Sequence, residues 1–519
     1  MEYGPAAGLL LLLFIALVPS FALADAPAEP TLLYAVGDTG APGESSPLLI
    51  YAVVGDRLVW LDRVDIEATS ETGFPSALTT DSDGGRLFVA ERDSSAVRIF
   101  DTSDLAPLGV LETGLPGDVG GLDVDGTAMR LYVGDGTGPL VAAFDLPTLE
   151  AVPKFDLEPD VDTGVLDVFT YAAIAYVADG QASVRYYAES GGEMLGSYDL
   201  IDTAATLYVG ELEGLTAFST SGGLTPQVSR YTFADDYLWT LAYSGDRTVR
   251  GLAVNPAAGV VYVSVGGGDT APGVRTLEAL GETPEIGRND VPDENWSPGD
   301  LTVGGGDYHR AASVTTSLDD ARVPGGESVT VTLSVTNDEA ATWTTLPAAT
   351  HYDPTRLALA SADVAPTATE DGVLIWDDLT ATLGDIEVGE TATVTLTFTT
   401  VEPEDCVGPS RAVVAAVFDP IGESETPAAR RGASATFRVP CPCESERDCL
   451  DSRFCVGAGS CDAGVCEYAG NPCDYGVECV EEADRCGPEE DEDEDEPAVD
   501  DTADEDEDHG GDECCGCAE

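Results

Sequence analysis

Asp83-Gly84-Gly85-Arg86-Leu87-Phe88-Val89-Ala90-Glu91, leading into Val97-Arg98-Ile99-Phe100-Asp101, decides the fold of this chain because a second copy follows it. That copy is Leu131-Tyr132-Val133-Gly134-Asp135, leading into Val141-Ala142-Ala143-Phe144-Asp145. Each unit runs from a small turn into an apolar strand with a central aromatic, then into a strand that ends in Asp. Further copies place the aromatic in Ala175-Tyr176-Val177, Leu207-Tyr208-Val209 and Val261-Tyr262-Val263. It therefore recurs at 88, 132, 176, 208 and 262, a mean period of about 43 residues. The steps into and out of 208 depart from that mean and leave the unit borders there open.

A period in the forties, made of strands and turns with no 3.6-residue amphipathic pattern between them, is the signature of a β-propeller with four strands per blade. The sequence thus predicts an all-β propeller over 27–306, with six blades, five or seven being compatible with the irregular steps. One side chain in two should pack against the neighbouring blade, which accounts for the fixed aromatic. The stretch from Leu32 to Asp62 either forms the first blade or supplies a strand that closes the ring with Leu301-Thr302-Val303. Closure removes exposed sheet edges. Through Leu87-Phe88-Val89, Leu131-Tyr132-Val133 and their partner strands, about half the chain resembles propeller repeats of the YVTN and NHL type.

Over 311–440 the pattern changes to longer strands with strict period-two alternation, at Ser328 to Thr336 and Thr391 to Phe398, each after a Gly-Glu turn (Gly326-Glu327, Gly389-Glu390). Further strands are expected at Arg356 to Ala360, Leu374 to Trp376, Ala412 to Phe418 and Ala433 to Val439, enough for a β-sandwich. Pro324-Gly325-Gly326-Glu327 through Asn337 resembles the Ig-like repeats of bacterial cell-surface proteins, which implies a stalk.

From 441 to 487 the chain is spaced by Cys443, Cys449, Cys455, Cys461, Cys466, Cys473, Cys479 and Cys486, among Gly, Asp and Pro that build no large apolar core. Disulfides are the expected staple, with the connectivity open. Zinc is the competing reading, but the module holds no Cys-x-x-Cys pair and no histidine lies near. The spacing, with Asp448-Cys449, Phe454-Cys455 and Asp484-Arg485-Cys486, resembles short cysteine-rich modules of secreted myxobacterial proteins. Cys406 and Cys441 are left over and are expected to pair with each other by parity. The segment 488–519 is nearly all acidic up to Glu513, a solvated tail. Its Cys514-Cys515-Gly516-Cys517 resembles the start of the MYXO-CTERM sorting signal, whose apolar helix and terminal arginines do not follow. Envelope attachment, intermolecular disulfides and a free thiol stay open there.

Export is expected from the apolar run Leu9 to Val18 followed by Ala22-Leu23-Ala24, a small-x-small cleavage pattern that makes 1–24 a signal peptide. It implies a secreted, extracellular or cell-surface protein, a compartment where disulfide-rich modules persist. No second apolar stretch reaches the length of a membrane span. The chain carries 96 Asp and Glu against 23 Lys and Arg, a net charge of −73, and Lys154 is its single lysine. Such a surface repels nucleic acid and fits a saline environment, where short screening lengths quench self-repulsion.

Catalytic patterns are sparse. The three histidines, His309, His351 and His509, fall in a linker, beside a sandwich loop and in the tail, and no Gly-x-Ser-x-Gly elbow or phosphate-cradling Gly-rich loop with lysine occurs. Propellers of the resembled type include lactonases and sugar hydrolases that hold a divalent cation with acids around the channel. Glu91, Asp135, Asp179 and Glu211, each just after the aromatic strand of its blade, are the acids expected to converge on one face of the ring and hold calcium. Their structural alternative is plain capping of strand ends. Asp81-Ser82-Asp83-Gly84 and Asp123-Val124-Asp125-Gly126 read as hairpin turns before they read as calcium loops. The favoured function is noncatalytic binding of a protein or carbohydrate ligand; a metal-dependent hydrolase and a structural envelope component are the alternatives.

Overall fold

The computed structural model describes residues 31 to 439, with breaks at many connections, and four short strands between 459 and 486; residues 1–30 and 487–519 lie outside the described residues. The expected signal peptide and the acidic tail with Cys514, Cys515 and Cys517 are therefore outside them. So are Cys406 and Cys441, expected to pair with each other, and Cys443, Cys449, Cys455 and Cys473, half of the expected disulfide framework.

Among the described residues, the first 24 strands form six four-stranded antiparallel sheets. Blade 1 combines β1 (Leu32–Asp38), β2 (Ser46–Val54) and β3 (Arg57–Ile66) with β24 (Ser297–Gly304), which arrives from the far end of the ring. Blade 2 is β4 (Pro75–Asp81), β5 (Arg86–Glu91), β6 (Ala96–Asp101) and β7 (Pro107–Glu112), and blade 3 is β8 (Val119–Asp125), β9 (Arg130–Asp135), β10 (Leu140–Asp145) and β11 (Ala151–Asp156). Blade 4 is β12 (Asp167–Tyr171), β13 (Ile174–Ala178), β14 (Ser183–Ala188) and β15 (Met194–Asp199). Blade 5 is β16 (Ala204–Glu211), β17 (Leu215–Ser221), β18 (Val228–Thr232) and β19 (Tyr237–Leu241), and blade 6 is β20 (Thr248–Asn255), β21 (Val260–Gly266), β22 (Gly273–Glu278) and β23 (Glu285–Asp290). The strands β24, β4, β8, β12, β16 and β20 touch one another in that order and return to β24. They line the axis of a closed, propeller-like ring.

Each seam between blades has its own apolar core, filled by the aromatic of one blade's second strand. Tyr34 packs with Leu78 and Leu87 at the seam of blades 1 and 2, and Phe88 with Leu122 and Leu131 at the next. Tyr132, Tyr176, Phe218 and Tyr262 fill the four that follow. Register shows these six side chains to be equivalent, opposite Thr302, Thr79, Asp123, Phe169, Tyr208 and Ala253 of the inner strands. Tyr208, expected in a second strand, lies instead on inner strand β16, and the blade 5 aromatic is Phe218. With 218 in place of 208 the repeat runs evenly, and the irregular spacing disappears.

The remaining strands through residue 439 form a second body. One sheet joins β25 (Ala312–Thr316), β26 (Ser328–Thr336), β32 (Thr391–Thr400) and β29 (Leu357–Ala362). The facing sheet joins β30 (Ala368–Glu370), β31 (Val373–Trp376), β28 (Ala348–Tyr352), β33 (Ser410–Phe418) and β35 (Arg431–Val439). A flanking pair, β27 (Trp343–Thr345) with β34 (Ile421–Gly422), and the single turn α1 (Thr380–Leu383) complete it. Alternate residues of both sheets, with buried Trp343 and Trp376, share one apolar core, as sheets polar on one face require. Further on, the backbone pairs Cys461 with Cys466 and Cys479 with Cys486 across two short hairpins, β36 (Gly459–Asp462) with β37 (Val465–Tyr468) and β38 (Cys479–Val480) with β39 (Arg485–Cys486). Among the described residues, no helix is long and apolar enough to cross a membrane.

The second body seats on blade 1. Val413, Ala415 and Val417 of β33 and Tyr308 join Leu48, Ile50 and Leu61 in one cluster. Asp62 closes this seam, accepting from the Tyr308 hydroxyl at 2.7 Å and from Arg310 at 3.1 Å. The Arg430 guanidinium lies 4.8 Å from the centre of the Trp60 ring. Gly432 is pressed against Leu61 so closely that a Cβ would fall 2.4 Å from the Leu61 carbonyl oxygen.

Candidate functional site

The inner strands carry an apolar residue at one rung (Leu301, Leu78, Leu122, Val168, Leu207, Leu252) that packs toward one neighbour. The residue before it faces the other neighbour. Along the ring these are Asp300, Ala77, Gly121, Asp167, Thr206 and Gly251. Backbones meet closely at this level, since a Cβ on Gly121 would fall 2.4 Å from the Asp167 Cα. Asp300 and Asp167 therefore sit three blades apart on one rung, across the axis from each other, with Asp123 two residues along on blade 3.

All three carboxylates reach over a blade junction to backbone donors. Asp300 accepts from Leu78 N at 2.9 Å, Asp167 from Leu207 N at 2.7 Å, and Asp123 from Thr170 N and Oγ1, both at 2.6 Å. Neutral oxygens bridge elsewhere: Thr206 Oγ1 donates to Arg250 O at 2.6 Å and Ser264 Oγ to Gly299 O at 2.5 Å. Burial lifts Asp123 and Asp300 to about 7, against the pull of the amide donors and with a push from neighbouring acids. Burial, then repulsion from Asp300, holds Asp167 well above the usual carboxylate range. The axis is thus lined by acids that fasten blades and whose burial favours the protonated form. Sequence reading misses them, because it places Asp123 in a turn whereas the residue lies within β8; the signal is the Asp-Val dipeptide at 123–124 and 167–168, each ahead of an aromatic strand.

The four acids expected to converge do not share one position. Glu91 and Asp135 end the second strands β5 and β9 at the same end of the ring, both buried, at 1% and 0% exposure. Glu211 ends inner strand β16, so its backbone lies at the opposite end; the shift of one strand at Tyr208 is the reason. Asp179 and the Glu211 side chain lie outside the described residues. Glu91 pairs with Arg98 at 2.9 Å, and Asp135 Oδ1 accepts from Thr137 N and Oγ1, both at 2.9 Å, and Gly138 N at 3.1 Å. Among the described residues, no three His, Cys, Asp or Glu side chains form a group that could hold a metal ion.

Neither described histidine stands in a nucleophilic arrangement. His309 is exposed, its backbone N donating to Ser103 O at 2.8 Å. His351, on β28, faces the seam of the two bodies, where burial, Arg57 and Arg430 depress it to about 4.

No family model matches the chain, and no curated protein matches it. Among solved structures, a chain of the hydrazine synthase of Kuenenia stuttgartiensis is similar at 13% identity and a TM-score of 0.35, over 51% of this chain and 77% of that one. A chain of a mitotic checkpoint complex is similar at 17% identity and a TM-score of 0.33, over 42% of this chain and 67% of that one. Likenesses this weak say nothing of chemistry.

Proposed function

We propose that this is a noncatalytic extracellular or cell-surface binding protein, whose propeller-like ring (27–306) is the head and whose Ig-like sandwich (311–440) is the stalk. The cysteine module (441–487) and acidic tail (488–519) follow as a spacer, with Cys514, Cys515 and Cys517 the attachment point to the envelope. The observation that supports this reading most is how the second body is seated. Its contacts come from the outer strands of blade 1 and from third-to-fourth-strand turns: Arg57 donates to Asp371 O at 2.9 Å, and Ser103 O of the β6–β7 turn accepts from His309 N at 2.8 Å. The second-to-third-strand loops, 92–95 and 136–139, sit at the other end of the ring. That geometry offers a loop surface at the end remote from the stalk, as a display head requires. The ligand class is protein or carbohydrate, and the fold alone does not choose.

The test is to probe the full chain, at high salt, against glycan and protein arrays, beside Arg92→Ser and Asp93→Asn variants at the exposed loop end. Saturable binding weakened by these changes without loss of thermal stability is the expected result. Calcium-dependent turnover of lactone substrates, lost on chelation, would overturn it in favour of a hydrolase. Neither binding nor turnover would leave a structural envelope component.

A further inference from the structure

At the seam of blades 3 and 4, two carboxylates are left incompletely answered. Asp118, in the connection between β7 and β8, has a buried Oδ1 without a hydrogen-bond donor, and Asp135, at the end of β9 and wholly buried, has a donorless Oδ2. Both oxygens lie against the same loop: a Cβ on Gly136 would sit 3.1 Å from Asp118 Oδ1, and one on Gly138 would sit 2.9 Å from Asp135 Oδ2. The loop is pinned there, because Gly136 N donates to Asp118 O at 2.7 Å and Val165 N to Asp135 O at 2.8 Å.

The surrounding glycines leave no room for side chains that could answer these oxygens. A Cβ on Gly120 would fall 1.7 Å from Val165 O, one on Gly164 1.8 Å from Gly136 O, and one on Gly117 1.7 Å from Thr137 Oγ1. A buried anionic oxygen without a donor is costly, and one loop holds two of them. Only oxygen atoms are on offer, which selects a hard cation, and an irregular set suits calcium better than magnesium with its strict octahedron.

We propose that Asp118 and Asp135 are the protein carboxylate ligands of one calcium ion that ties the β7–β8 connection to the β9–β10 loop. The site is independent of the display function, although it lies at the loop end of the ring.

Calcium alone is the probe, titrated by calorimetry into the full chain in ~1 M NaCl, which screens diffuse binding by the acidic surface. Thermal unfolding in chelator and in calcium runs alongside, with Asp135→Asn and Asp118→Asn. Asn at 135 keeps the oxygen that accepts from Thr137 and Gly138 and replaces the donorless one by NH2. The expected result is one saturable site below ~1 mM in the natural protein, with a calcium-dependent rise in midpoint. Both variants should bind at least ~10-fold more weakly and lose that rise. Equal, unsaturable calcium binding by all three proteins would overturn the site. So would an Asp135→Asn chain in chelator that is more stable than the natural chain in calcium. Should one variant fail to fold, the stoichiometry of the natural chain and the other variant decide.

Discussion

Asp123 illustrates how a residue that fastens the fold also makes it sensitive to pH. Its folded value near 7 lies above the ordinary 3.8, so the folded chain holds a proton that the unfolded chain has released. The stabilisation is complete below pH ~4 and is lost as pH rises through 7. Asp123→Asn keeps an acceptor for Thr170 and carries no charge. It should match the natural protein near pH 4 and exceed it above pH 7 by roughly 1–3 kcal/mol, measured by denaturant unfolding across that range. His351 works in the opposite sense. Depressed to about 4 from 6.5 by burial and by Arg57 and Arg430, it is protonated first in the unfolded chain, so stability falls as pH drops from 6.5 to 4. His351→Gln should flatten that part of the profile and leave the alkaline side unchanged.

At the level of the strand, the six seams are equivalent and so are the costs of damaging them. Phe88 is fully buried between blades 2 and 3, and Phe88→Ala should lower stability by ~3–5 kcal/mol in the same unfolding measurement. Gly121→Ala should lower it by more than ~2 kcal/mol although it adds one methyl group, because the added carbon meets the Asp167 backbone at 2.4 Å. The blade repeat is legible in the sequence because the seam needs a large aromatic at one register position, and Phe88, Tyr132, Tyr176 and Tyr262 announce it. Tyr208 misleads because two aromatics, Tyr208 and Phe218, face each other across β16 and β17 at the same register, and spacing alone cannot say which of a pair belongs to the second strand. The same slip moves Glu211 to the wrong end of the ring. The axial acids escape notice for a different reason. Their role depends on the amide donors of the next blade, 47 residues away for Asp123, 40 for Asp167 and 222 for Asp300, and no local pattern reports a junction between repeats.

On the scale of the molecule, the charge of −73 should make stability strongly dependent on salt: the thermal midpoint should climb with NaCl from ~0.05 to ~1 M as the screening length contracts. The ring and the second body should melt together, since one apolar cluster spans them. Asp62→Ala, which strips Tyr308 and Arg310 of their shared acceptor, should split that transition in two by calorimetry. Closure of the ring has its own consequence for the order of assembly. Blade 1 takes three strands from residues 32–66 and its inner strand from residues 297–304, so β1, once synthesised, waits for about 260 residues before its edge is covered. Contacts of such sequence separation form slowly. During that interval β1 exposes an unpaired edge at which a second copy of β24 could dock as readily as the chain's own, and crowded synthesis should therefore yield strand-exchanged dimers as the characteristic misassembled form.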